Sequence, residues 1–171
     1  PGQTKFNPFQ ASGGSAEAYG VIKQSGGRYV TTGYGASNLD TPTLENDLVS
    51  FGLLRDNLDP SYGKLGALAV QSEKDPAAGK GARKFRDNGR DLVVLADDRT
   101  VQVGCYDDFA SVFVFTKNGA LDTAFGTGGK LQYTHAAPFF KVALSPDKKR
   151  LAATASTVND AALLVTLKVG N

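Results

Sequence analysis

Apolar and polar residues alternate along this chain in short bursts. T-V-Q-V at 100–103 and V-F-V-F-T at 112–116 carry the two-residue period of strands packed against a core. No segment sustains a 3.6-residue period, although 77–85 has the composition for a single helical turn. Strands are predicted over 18–23, 28–32, 47–54, 65–70, 91–96, 99–105, 110–116, 130–134, 139–144, 150–155 and 162–169. Gly, Asp, Asn and Pro stand between them, as turns require. Residues 4–9 read as a short edge strand, because Pro8 has no N–H for a central one. Two stretches break the rhythm: a polar loop over 34–46 and an insertion over 71–90. The fold class is therefore all-β.

The bursts repeat. L-D-P-S-Y-G-K-L-G-A-L at 58–68 returns as L-D-T-A-F-G-T-G-G-K-L at 121–131, 63 residues later. The second strands align as G-R-Y-V-T-T-G, D-R-T-V-Q-V-G and K-R-L-A-A-T-A, which puts Arg28, Arg99 and Arg150 at equivalent places. In the repeated turn, Gly63 and Gly126 would supply a positive φ at the corner. Asp59 and Asp122 would accept N–H groups two residues on. Tyr62 and Phe125 would plug the space between neighbouring sheets. Each unit reads as a four-stranded antiparallel meander that buries its faces by stacking on the next, as in a β-propeller or solenoid. The inward side chains would include Val93, Leu95, Val101, Val103, Val112, Val114, Ala143, Leu163 and Val165. One repeat domain, 1–171, divides into the outer strand of a preceding blade (1–14), a first blade (15–70), a second with a basic insertion at its start (71–136) and an incomplete third (137–171).

The third unit ends before its fourth strand. P-G-Q-T-K-F-N-P at the start lies over G-T-G-G-K-L-Q-Y at 126–133, so a strand around Lys5 and Phe6 is the expected replacement. Propellers have about 4–8 blades. Two chains of three would make a ring of six. A homodimer is expected, or association with the remainder of a processed precursor; the alternative is an open array with capped ends.

A chain of 171 residues with 41% hydrophobic and 21% charged residues has enough apolar material for one folded core. The net charge of +2 argues against nucleic acid as a partner. No apolar run is long enough to span a bilayer. The opening residues lack the apolar centre of a signal peptide, and a chain with no Met reads as beginning where something was removed.

Candidate chemistry is sparse. Cys105 can form no internal disulfide, and a buried small hydrophobe accounts for it before a reactive thiol does. His135 is the single histidine, with Ser145 and Asp147 near it in sequence but no G-x-S-x-G elbow. One His and one Cys are too few soft ligands for zinc. Acidic groups at Asp56-Asn57-Asp59, Asp97-Asp98, Asp107-Asp108 and Asn159-Asp160 are oxygen donors that would suit calcium, but their spacing matches neither an EF-hand nor the glycine-rich nonapeptide repeat, and turn formation explains them. G-T-G-G-K lacks the Walker spacing, and nothing selects an acid–base pair from the 17 carboxylates. Lys74, Lys80, Arg83, Lys84, Arg86 and Arg90, set against Glu73, Asp75 and Asp87, would suit an anionic ligand or a solvated loop. Tyr19, Tyr29, Tyr34, Tyr62, Tyr106 and Tyr133 would suit carbohydrate contact or packing between blades. No catalytic, cofactor-binding or metal-ligating residue is assigned.

D-D-R-T-V-Q-V-G at 97–104 and N-G-A-L-D-T-A-F-G-T-G-G at 118–129 resemble the delta-60 repeat family, a bacterial group of β-propeller-like repeats. G-G-R-Y-V-T-T-G and L-D-P-S-Y-G-K-L-G follow the pattern more loosely, and the third unit keeps S-P-D-K-K-R-L-A-A. The resemblance implies a bacterial protein that is secreted or surface-exposed, and it brings no catalytic residues. The expected function is a non-enzymatic module that binds a protein or glycan through its loops at 35–46 and 71–90. Two alternatives stand beside it. One is a hydrolase with its site in a central funnel, against which the apolar first strands V-I-K, V-V-L and V-A-L weigh. The other is a structural subunit of a larger extracellular assembly.

Overall fold

The computed structural model of the chain describes residues 5, 7–37, 46–72, 87–157, 159 and 161–169. These form three antiparallel sheets that follow one another in chain order. The first comprises β1 (Glu17–Lys23), β2 (Tyr29–Gly35), β3 (Asp47–Leu54), β4 (Asn57–Leu58) and β5 (Ala67–Val70), with β4 and β5 sharing the outer side of β3. The second is the meander β6 (Asn88–Val94), β7 (Thr100–Tyr106), β8 (Phe109–Phe115) and β9 (Lys130–Tyr133). The third has three strands, β10 (Lys141–Leu144), β11 (Arg150–Ser156) and β12 (Ala162–Lys168). The first strands approach one another most closely, with β6 between β1 and β10.

Side-chain alternation explains the stacking. The second sheet lies between the other two and is buried on both faces. Phe113 and Phe115 meet Leu48, Leu68 and Val70 of the first sheet. On the other face, Val101, Val103, Val112 and Val114 meet Leu151, Ala153 and Phe139. The third sheet is apolar on one face only: Leu151, Ala153 and Ala155 are buried, while Lys141, Arg150, Thr154 and Lys168 face solvent. Ala143, expected to point inward, is exposed; Val142 and Leu144 take the inward positions, because the strand sits one residue out of the assumed register.

The predicted edge strand at 4–9 is not formed in its described part. Residues 7–9 turn into a 3-10 helix, Gln10–Ser12. Asn7 holds this turn, its Nδ2 donating to the Gly14 carbonyl at 2.6 Å and its Oδ1 accepting from Phe9 N–H at 2.9 Å. Phe9 is 3% exposed and packs on Val49, Phe51 and Ala67. Burying one large aromatic on the first sheet outweighs the pairing suggested by Lys5. Thr4 and Phe6 lie outside the described residues, as do the helical turn considered at 77–85 and residues 38–45.

The repeated exit turn takes the same form twice. Tyr62 N–H donates to Asp59 O and Phe125 N–H to Asp122 O, each at 2.9 Å. Gly66 N–H then bonds Tyr62 O at 2.8 Å, and Gly129 N–H bonds Phe125 O at 2.9 Å. Gly63 and Gly126 adopt φ of 56° and 53°, as the turn requires. Tyr62 is fully buried between the first and second sheets, and Phe125 packs half-buried on the core between the second and third.

Candidate functional site: the end that bears the insertions

Antiparallel meanders put successive turns at opposite ends of the stack, and the two ends differ in character. One end holds the repeat together. Arg28 Nε donates to Asp59 at 2.6 Å, Nη1 to the Lys117 carbonyl at 2.6 Å and Nη2 to Ser61 at 2.7 Å. Gln24 Nε2 reaches the Asp98 carbonyl at 2.6 Å, and Ser25 donates to the Asp98 carboxylate from both N–H and hydroxyl. The Ser61 hydroxyl, then the Ser61 N–H and Arg28, hold the Asp59 carboxyl down at about 2 against the cost of burial. Arg99 repeats the pairing with Asp122 at 2.7 Å, and it lowers that carboxyl in turn. A cavity of 390 Å³ lies here, lined by Arg28, Asp59, Asp98 and Lys117 among others. The polar groups of Arg28 and Asp59 are spent on one another and on neighbouring turns, so this end is a clasp. Arg150, third in the series, is exposed and finds no carboxylate within ion-pair distance among the described residues.

The opposite end carries both irregular stretches, and their bases are tied together. Asp47 accepts from Ser37 N–H at 2.8 Å and from Gln71 Nε2 at 3.0 Å. Asp87 N–H donates to Asn46 O, while its carboxylate accepts from Ser72 N–H and, at 2.7 Å, from Asp107 N–H. Two carboxylates, 3% and 2% exposed, thus fix where each stretch leaves and rejoins the stack. Burial raises the Asp87 carboxyl to about 6 despite those N–H bonds, with Asp47 adding to the rise. Burial, then the charges of Asp87 and Asp108, pushes the Cys105 thiol to about 12, so it is no nucleophile at neutral pH.

Beside these bases sits a patch made by two β-bulges. The β1–β2 register slips between Ala18 and Gly20, and the β6–β7 register slips between Gly89 and Asp91. The extra residues are Tyr19 and Arg90, at equivalent positions of the repeat. The bulges aim them at each other: the Arg90 guanidinium lies 5.3 Å from the Tyr19 ring and 5.9 Å from the Tyr34 ring. The two tyrosines stack at 5.3 Å and bond through their hydroxyls at 3.2 Å, and Tyr19 donates to Glu17 at 3.3 Å. The Tyr19 hydroxyl, then the Glu17 charge, raises the Tyr34 phenol. Tyr19 remains 49% exposed, and Arg90 Nε is buried without a hydrogen-bond partner. Gly33 and Gly104, at equivalent places in β2 and β7, make the bulges feasible. A Cβ there would stand 1.8 Å from Glu17 O or 1.9 Å from Asn88 O.

Other candidates separate. His135 lines a hollow of 410 Å³ with Tyr133, Thr157 and Leu163 at the insertion end. Ser145 and Asp147 bond one another at 2.5 Å in the β10–β11 turn at the clasp end, so no triad assembles. Asp107 and Asp108, at φ of 53° and 64°, form the β7–β8 turn. Asp97 pairs with Arg99, and Asp59 with Arg28. Asp160 lies outside the described residues, and among those described no group of three His, Cys, Asp or Glu side chains could hold a metal ion. Of the basic insertion, Arg90 belongs to β6, while Lys74, Lys80, Arg83, Lys84 and Arg86 are outside the described residues. No described helix is long and apolar enough to cross a membrane. Tyr19 and Arg90 are each candidates in the sequence, one among the tyrosines and one in the basic insertion, but their pairing is not legible there; glycines at 33 and 104, at equivalent places in β2 and β7, are the trace the bulges leave in it.

The chain matches no protein-family model and no curated protein.

Proposed function

We propose that this chain is a non-enzymatic binding module that recognises a partner at its insertion end, and that the partner there is a glycan. The carrying observation is the bulge-built patch. An exposed tyrosine ring offers a face for stacking on a sugar ring, and Glu17 beside it offers acceptors for hydroxyls. The shared base of the two insertions lies beside that patch, so that loops and aromatics would act on one ligand. In this reading the three sheets are blades of a propeller-like array of delta-60 type, and a bacterial surface or the extracellular space is where it works. The polar outer face of the third sheet and Phe9 over the first favour an array capped at both ends over a face-to-face ring. A hydrolytic role draws less support, since the raised carboxyl of Asp87 is 2% exposed and already engaged by two backbone N–H groups.

Affinity electrophoresis against a panel of soluble bacterial and plant polysaccharides tests the proposal. At least one should retard the chain, and Tyr19→Ala should weaken that retardation about tenfold, the loss of one stacked ring of ~1.5 kcal/mol. Retardation that survives both Tyr19→Ala and Tyr34→Ala, or none from any polysaccharide, would refute it. A second reading, a structural subunit of a larger assembly, is favoured by the third sheet, whose last strand has no neighbour on its outer side among the described residues.

A further inference from the structure

We infer that β12 is a self-association surface: it pairs edge to edge with β12 of a second copy of this chain. The inference is independent of the glycan reading and stands on the edge itself. In the first two sheets the last edge is short, divided between two-residue β4 and four-residue β5 in one and limited to four-residue β9 in the other. Short edges resist unwanted pairing. β12 is seven residues, A-L-L-V-T-L-K, with no proline and an unbroken register against β11 from Arg150↔Lys168 to Ser156↔Ala162. Among the described residues none of the usual protections is present except one terminal lysine. The consequence shows in burial. Ala110, Val112 and Val114 of β8, with β9 alongside and the third sheet packed on them, are fully buried, whereas Leu163, Val165 and Leu167 at the matching place on β12 stay half-buried.

The hydrogen-bonding groups are set for a partner. Val169 N–H donates to Lys149 O, and Thr157 N–H to Ala161 O, so odd-numbered residues of β12 turn toward β11. Ala162, Leu164, Thr166 and Lys168 therefore turn their N–H and C=O outward. A second copy satisfies them when it runs antiparallel about Val165. Leu164 then faces Thr166 of the second copy, and Ala162 faces Lys168 of the second copy, exchanging about eight N–H···O bonds. Off those pairs, Leu163 meets Leu167 of the second copy on the apolar face. Charge selects this arrangement over a parallel one. Antiparallel pairing puts the two Lys168 side chains ~20 Å apart at 3.4 Å per residue, about twice the screening length in 0.1 M salt. Parallel pairing would set them side by side. The two third sheets would become one six-stranded sheet with its polar face outward.

Light scattering coupled to size exclusion, from about 5 to 200 µM, tests this. The mass should rise from 17.9 kDa toward twice that value. Thr166→Pro removes an outward N–H and no bond to β11, so it should keep the far-ultraviolet spectrum of the parent and stay monomeric throughout. Val165→Cys, in a Cys105→Ala background, should cross-link to a dimer with a mild oxidant, since the two Val165 positions meet on the symmetry axis. A parent chain that stays monomeric at 200 µM would overturn the inference. So would a dimer that survives Thr166→Pro and disappears on deletion of residues 1–6, because the edge would then be filled by an exchanged N-terminal segment.

Discussion

Arg28→Ala and Arg99→Ala are the same perturbation at two depths, and the repeat supplies its own control. Arg28 donates side-chain hydrogen bonds to Asp59, Gln24, Ser61, Asn118 and the Lys117 carbonyl, and it lies 5.7 Å from the Tyr62 ring. Its side chain is 14% exposed and that of Asp59 is 9% exposed. Removing it leaves a nearly buried carboxylate with only Ser61 as donor and takes away the Arg28 bonds to the 117–118 turn of the second sheet, leaving Gln24 and the Gly63 N–H to hold that turn. Breaking a fully buried pair costs about 3–5 kcal/mol; the residual exposure here places the loss near 3 kcal/mol. Arg99 donates to Asp97 and Asp122, at side-chain exposures of 30% for the arginine and 56% and 18% for the acids. Exposed pairs contribute at most about 1 kcal/mol each, and with Asp97 mostly in solvent the second loss falls near 1 kcal/mol, carried by the Asp122 pair. Urea denaturation followed by circular dichroism reads both. With an m-value of about 2 kcal/mol per molar, the midpoint should fall by about 1.5 M for Arg28→Ala and about 0.5 M for Arg99→Ala. Equal shifts, or a larger shift at Arg99, would refute the claim that burial decides the value of this repeated pair.

The two shifted carboxyls predict opposite pH slopes. Asp59, held at about 2 when folded, contributes stability that is complete above ~4 and lost as pH falls toward 2. Asp87, raised to about 6, makes stability fall as pH rises from ~4 to 6. Urea midpoints against pH should therefore decline over 4–6 in the parent and lose that decline in Asp87→Asn; an unchanged profile would remove Asp87 as its cause. At the bulges, Gly104→Ala forces a Cβ to within 1.9 Å of Asn88 O, whereas Gly128→Ala meets nothing within 4 Å and bears only a φ of 60°. Thermal melting should show loss of the cooperative transition for the first and a cost of about 1 kcal/mol for the second; similar melting points would contradict the close approach at the bulge.

The strands and their order were legible because each burst is self-contained. Alternation fixes which residues of T-V-Q-V can share a face, and the L-D-x-x-(F/Y)-G turn closes on its own hydrogen bonds, so both survive in the linear text. The equivalence of Arg28 and Arg99 was visible for the same reason. Their partners were not: Asp59 and Asp122 lie 31 and 23 residues away, and the register of an entire sheet brings them within reach. Ala143 shows the cost of a one-residue slip, which exchanges the faces of β10. Phe9 shows another limit. Its sequence suits an edge strand, but the apolar outer face of the first sheet offers it more buried area than pairing does. The insertion end was the least legible part. A bulge leaves hydropathy untouched and redirects one side chain, so Tyr19 and Arg90 meet only because two separate sheets slip at the same place and then stack. Local chemistry set the strands and turns of this chain; long-range register and stacking set the Tyr19–Arg90 patch, the joined bases of the insertions and the place of β12 at the end of the third sheet.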